Sequence, residues 1–241
     1  MLYSTNMATI PKIIHYFTFG GHDSSDIVKR CVASWERVCP TFVIKKWDES
    51  NFDIKAHPFT ARMYKERKFA FVADYARLCV LEKEGGIYLD TDMELVSDIS
   101  PLLDKELVLG EEEVGIISAG MIASIPHNIY IKKCKERYDK IIDLPPTIPR
   151  LMTEVFNSTK NEFNSVRICP PVTFYPYSAD NISSYKKEKL SSSTYGVHLW
   201  NYSWGHPMNR LLKKVGLYKF IKKITESLGI KAFLKKLLNI S

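Results

Sequence analysis

The 241-residue chain predicts an α/β fold: one domain built on a mostly parallel central sheet with helices on both faces. Apolar runs of strand length alternate with stretches of helical spacing, and glycine pairs at 20–21 and 85–86 mark the junctions. A content of 45% hydrophobic and 25% charged residues supplies a sizeable core.

In order, "KIIHYFTF" (12–19) reads as a buried strand closed by Gly20-Gly21, and Ser24 to Val38 has helical spacing at Ile27, Val28, Cys31 and Trp35. "FVIKKW" (42–47) is a second strand. Phe69 to Glu84 is a helix stopped by Gly85-Gly86, "IYLD" follows as a strand, and "LVLG" (107–110) and "GIISAGMIA" (115–123) add two more. Residues 127–142 return to helix. The region 144–185 is rich in Pro and Ser and predicts loop with short elements.

The five cysteines (31, 39, 79, 134, 169) are widely spaced without any CxxC, which suggests neither a disulfide framework nor a zinc knuckle and fits a reducing cytoplasm. No apolar run is long enough for a signal peptide or a spanning helix. The net charge of +7 is concentrated at one end: from His206 onward Arg210 and eight lysines face Glu226 alone, leaving residues 1–205 at −1. A near-neutral body argues against a nucleic-acid partner.

Between Ala70 and Leu81 only Asp74 and Arg77 are charged, and their i, i+3 spacing places them on one helix face. The pair admits two readings, a structural ion pair or a functional one, since a buried pair is weak evidence for stability alone. In the strand that follows, alternation puts Tyr88, Asp90, Asp92 and Glu94 on one side and Ile87, Leu89, Thr91 and Met93 in packing. An Asp-Thr-Asp is usually a solvated turn. At the end of an apolar strand it instead brings two carboxylates together, where a hard divalent cation would relieve their repulsion.

The segments "IPKIIHYFTFGG", "SWERVCPTFVIKKWDESNFDI", "FAFVADYARLCVLEKEGGIYLDTDMEL" and "TYGVHLWNYSW" resemble, in order, the blocks of bacterial DXD sugar transferases of glycosyltransferase family 32. That family includes capsular and lipopolysaccharide transferases, and its core is similar to that of the large clostridial glucosylating toxins. The resemblance implies a GT-A fold, a nucleotide-sugar donor with UDP favoured, Mn2+ or Mg2+, and retention of anomeric configuration. It also implies roles: Asp74 and Arg77 gripping the donor sugar, Tyr88 lining that pocket, Asp90 meeting ribose and metal, and Asp92 and His198 on the metal. Trp204 would close over the diphosphate. Where many relatives carry a base-stacking Trp this chain has Thr18, flanked by Phe17 and Phe19; Phe17 and Thr18 are kept as nucleotide-sugar-binding candidates, and either uracil stacks on another ring or the donor carries a different nucleotide.

Domain limits follow as 1–205 for the transferase and 206–241 for a basic tail. The tail sets Leu211, Val215, Tyr218, Ile221 and Ile224, then Ile230, Phe233, Leu234, Leu237 and Leu238, on apolar stripes opposite its lysines. Such a helix either docks on protein or lies on an anionic membrane. The expected enzyme moves a hexose or N-acetylhexosamine to a saccharide or lipid-linked acceptor, from the cytoplasmic face of the cell membrane. A toxin-like transferase acting on a host protein and a non-catalytic membrane-surface protein are the alternatives.

Overall fold

A computed structural model describes residues 9–21, 25–141, 145–162 and 165–201. The basic tail and Trp204 lie outside the described residues.

Strands β1 (Ile13–Phe17), β2 (Val43–Trp47), β3 (Gly86–Leu89), β5 (Leu107–Glu113), β6 (Ile116–Ser124) and β7 (Val166–Cys169) form a six-stranded sheet in the order β2-β1-β3-β6-β5-β7. Only β6 runs against the rest, pairing antiparallel with both β3 and β5. The sheet is therefore mostly parallel, as the alternation of elements predicts. A second, two-stranded antiparallel sheet joins β4 (Met93–Leu95) to β8 (Gly196–His198).

Helix α1 (Asp26–Val38) covers one face, where Trp35 packs with Ile14, Ile87, Leu89 and Met121. Its Ser25 cap accepts from the Val28 amide. Helices α2 (Pro58–Lys65), α3 (Phe69–Glu84), α4 (Ile129–Asp139) and α5 (Ile148–Thr159) supply the other face with Phe59, Leu78, Leu81, Tyr130 and Met152. Each such buried side chain contributes roughly 1.5–3 kcal/mol, which is why the two layers hold.

Helix α3 has the predicted bounds and is buried on most of its circumference. It ends where Gly85 takes φ 65°, and Gly86 follows at φ 92°; a Cβ on Gly86 would meet Ile13 O at 2.7 Å and the His15 ring at 2.9 Å. The His15 ring is fully buried there. Trp47 Nε1–H donates to His15 Nδ1 (3.1 Å), so the other ring nitrogen carries the proton and donates to Gly85 O (3.0 Å).

Three expectations need correcting. The stretch 144–185 holds a full helix, α5, in which Ile148, Leu151, Met152 and Val155 form an i, i+3, i+4, i+7 apolar stripe. Helix α2 was also not anticipated; Pro58 opens it and the His57 ring caps it. Finally, the strand through Asp90 and Asp92 does not continue to Glu94. A turn closed by the Met93 amide on Asp90 O separates β3 from β4, so alternation breaks at Thr91. Glu94 pairs with Arg30 at 2.6 Å and does not line the cavity that holds Asp90 and Asp92.

Candidate active site

Five strands of the main sheet point their carboxyl ends to one edge, the usual ligand edge of open α/β sheets. A cavity of about 240 Å³ opens there. Its wall includes Phe17 from β1, Asp74 and Arg77 from α3, and Tyr88, Asp90, Thr91 and Asp92 from β3 and the turn. Further wall residues are Glu112 from β5, Ser118 to Gly120 from β6, Ile148 and Pro149 from α5, and Tyr175, His198 and Trp200 from the later chain.

Arg77 is the cavity's anchor. Its guanidinium binds Asp74 Oδ1 (2.8 Å), donates to Ala119 O (2.8 Å) and Ala73 O (3.2 Å), reaches Asp90 at 3.4 Å and lies 4.2 Å from the Tyr88 ring centre. Burial works against its charge, but the neighbouring Tyr88, Asp74 and Asp90 keep its pKa above the ordinary value. Burial likewise pushes Asp74 up to about 6, although Arg77 pulls the other way. The Tyr88 hydroxyl donates to Asp90 Oδ1 (2.5 Å).

The DxD carboxylates meet His198. Strand β8 pairs with β4 so that His198 stands opposite Met93, next to Asp92. Its Nε2 is 3.2 Å from Asp92 and 3.6 Å from Asp90. One ligand atom from each of Asp90, Asp92 and His198 lies within 4.8 Å of the others. Burial disfavours the imidazolium, yet the two carboxylates hold the His198 pKa at about 10. Asp90 stays below the ordinary carboxylate value because Arg77 and His198 outweigh its burial. Asp92 is also gripped by the chain, accepting from the Asn201 amide (2.8 Å).

Two hard carboxylate oxygens and one imidazole nitrogen make a donor set that fits a divalent cation. His198 Nδ1 is buried and has no hydrogen-bond partner among the described residues, so the ring's polar contacts are all on the carboxylate side.

The floor comes from β6. Asp90 N–H donates to Gly120 O, and a Cβ on Gly120 would meet the Tyr175 hydroxyl at 2.7 Å and Asp90 Oδ2 at 2.9 Å. Ser118 and Tyr175 are hydrogen-bonded through their hydroxyls. The predicted residues Phe17, Asp74, Arg77, Tyr88, Asp90, Asp92 and His198 thus share one cavity, while Thr18 does not line it and is only 3% exposed. Sequence reasoning missed Glu112, Ser118, Gly120, Ile148, Pro149, Tyr175 and Trp200. Only α5 carried a sequence signal, its apolar stripe.

Glu112 is partly buried, and its carboxylate makes no hydrogen bond or ion pair with the described residues. Burial raises its pKa, with His198 opposing and Glu113 and Asp90 adding to the rise.

Residues 25–109 match the family described as the glycosyltransferase sugar-binding region containing a DXD motif. A lactosylceramide 4-alpha-galactosyltransferase of Mus musculus is 27% identical over 150 residues, covering 54% of this chain and 40% of that protein. A human alpha-1,4-N-acetylglucosaminyltransferase is 28% identical over 155 residues, covering 57% and 44%. The chain thus spans about two fifths of the length of these curated relatives. Among solved structures, the PaToxG glycosyltransferase superposes with a TM-score of 0.50 at 19% identity, over 63% of this chain and 69% of that one, a likeness of fold alone. Over the stretch that contains Asp74, Arg77, Tyr88, Asp90 and Asp92, this chain matches the DXD glycosyltransferase family, and it carries that stretch on a GT-A glycosyltransferase fold.

Proposed function

We propose that the chain is a metal-dependent, retaining glycosyltransferase that moves a hexose or N-acetylhexosamine from a nucleotide sugar, with UDP favoured, to a saccharide or lipid-linked acceptor. The single observation that carries the reading is the convergence of Asp90, Asp92 and His198 beside the buried Asp74–Arg77 pair in one cavity. Two relatives named for alpha-galactosyl and alpha-N-acetylglucosaminyl transfer support the donor class and the alpha product. From an alpha-configured nucleotide sugar, that product means retention.

Asp90, Asp92 and His198 would hold Mn2+ or Mg2+. When bound, the cation would neutralise negative charge growing on the departing diphosphate. Asp74 and Arg77 orient the donor sugar through its hydroxyls. Arg77 is itself held by Ala73 O and Ala119 O, so the pair presents a preset geometry. Tyr88 fixes Asp90, and Phe17 offers an apolar ring on the donor side of the cavity. The acceptor hydroxyl attacks from the leaving-group face, its proton passing to the departing phosphate.

The proposed setting is synthesis of cell-surface polysaccharide such as capsule or lipopolysaccharide, with residues 206–241 resting on the anionic inner face of the membrane. Metal-dependent release of nucleotide from a panel of nucleotide sugars tests the enzymatic reading. Failure of every nucleotide sugar to be hydrolysed with Mn2+ or Mg2+ would leave the non-catalytic alternative.

A further inference from the structure

We propose that Glu112 is the acceptor-side carboxylate of the cavity, taking a hydrogen bond from a hydroxyl of the acceptor saccharide and holding it for attack. The proposal rests on the transferase reading and names a residue for its second substrate.

The first support is local geometry. In the β5–β6 ladder Glu111 stands opposite Ile117 and Glu113 opposite Ile116, so two steps along β5 match one along β6. Glu112 is the extra residue of a β-bulge, and bulges re-aim a side chain out of strand alternation. Glu111 anchors the turn by accepting from the Gly115 amide (2.9 Å), and Glu113 is exposed. Of the three consecutive glutamates, only Glu112 lines the cavity.

The second support is an inventory of partners. Asp74 is taken by Arg77, Asp90 by Tyr88, Arg77 and His198, and Asp92 by His198 and the Asn201 amide. Glu112 alone among the cavity's carboxylates has no such partner among the described residues. Its carboxylate oxygens are not among the buried unpartnered atoms, so solvent reaches them and a ligand hydroxyl can take the place of that water. A cation is the less fitting occupant, because the group able to share one ion comprises Asp90, Asp92 and His198 without Glu112.

The third support is what surrounds it. Ile148 and Pro149 from α5 give the cavity an apolar wall, and the turn two residues beyond Glu112 exposes Val114. A sugar ring, apolar on its faces and polar at its rim, suits one carboxylate set among apolar walls.

The test uses the full chain. Wild type first hydrolyses a nucleotide-sugar panel and is then offered a glycan array containing lactosyl lipids; kinetics follow on the best acceptor for wild type, Glu112→Gln, Glu112→Ala and the exposed control Glu113→Gln. Glu112→Ala should raise acceptor KM about tenfold or more, the worth of a hydrogen bond to a charged group. Glu112→Gln, which keeps an acceptor oxygen, should raise it less, and Glu113→Gln should not change it. Donor hydrolysis should fall far less than transfer. An unchanged acceptor KM in Glu112→Ala, a loss confined to turnover, an equal loss of hydrolysis and transfer, or no transfer to any glycan overturns the assignment while hydrolysis keeps the transferase reading intact. No metal-dependent hydrolysis by wild type brings down that reading and this assignment with it.

Discussion

Arg77 and Asp90, from a helix and from the end of a strand, stand 3.4 Å apart with Arg77 already bound to Asp74. One guanidinium therefore links the proposed sugar-binding pair to the proposed metal ligands. Removing it disturbs both, and this coupling decides how variants of the site must be compared.

The coupling shapes the first expectation. Arg77→Met alone leaves Asp74 without its cation and should cost about 3–5 kcal/mol in denaturant unfolding, and Asp74→Leu should cost less because Arg77 keeps Asp90 at 3.4 Å. The double variant should recover part of this, short by about 1–3 kcal/mol because Ala119 O loses its donor and Asp90 loses its guanidinium partner. If the pair serves the donor sugar, the folded double variant still binds nucleoside diphosphate with metal by calorimetry, more weakly than wild type because Asp90 has lost Arg77, but stays inactive. Regained turnover would make the pair structural.

Asp92→Asn should abolish metal-dependent hydrolysis and also the rise in melting temperature that Mn2+ gives to wild type. Without metal the variant should melt slightly lower, since Asp92 pairs with His198. Full activity of wild type in excess chelator contradicts the metal assignment.

Gly120→Ala would drive a methyl group to within 2.9 Å of Asp90 Oδ2. We expect metal affinity to fall about 10–100-fold, the usual effect of disturbing what orients a ligand. Near-native circular dichroism with weakened Mn2+ titration is the expected pair of results; unchanged affinity would show that the carboxylate shifts freely.

Buried His15 has its pKa lowered from 6.5 to about 4, chiefly by desolvation. Below pH 6.5 the unfolded chain takes up a proton that the folded one refuses. His15 therefore contributes about 3 kcal/mol of stability above pH 6.5 that is lost as pH falls towards 4. Asp74 acts with the opposite sign: raised to about 6, it is protonated in the folded state first and favours folding as pH falls from about 6 towards 4. The wild-type profile alone mixes the two. Urea midpoints of wild type and His15→Gln at pH 7 and pH 5 separate them, and the wild type should lose more stability than the variant on acidification. Parallel losses would remove His15 as the cause.

Local pattern carried what neighbours in the chain can carry. The spacing of Asp74 and Arg77, the stop at Gly85-Gly86 and the run Tyr88-Leu-Asp90-Thr-Asp92 are all settled within a few residues, because helix and strand periodicity is a property of adjacent dihedrals. The apolar stripe of α5 was equally local and was hidden by the surrounding Pro and Ser. Alternation failed at Thr91 because a single turn hydrogen bond, from the Met93 amide to Asp90 O, redirects every later side chain.

The rest was decided by tertiary structure. His198 reaches Asp92 only because β8 docks on β4 across more than a hundred residues, and Gly120 touches Asp90 only because β6 lies antiparallel beside β3. Glu112 enters the cavity through a register slip between two strands, which neither strand encodes alone. By itself the sequence determined the α/β class and a strand end rich in carboxylates. The contacts that make that end a cavity, with a His, a glycine floor and a glutamate unpaired among the described residues, come from sheet pairing, whose register depends on the packing of the whole core.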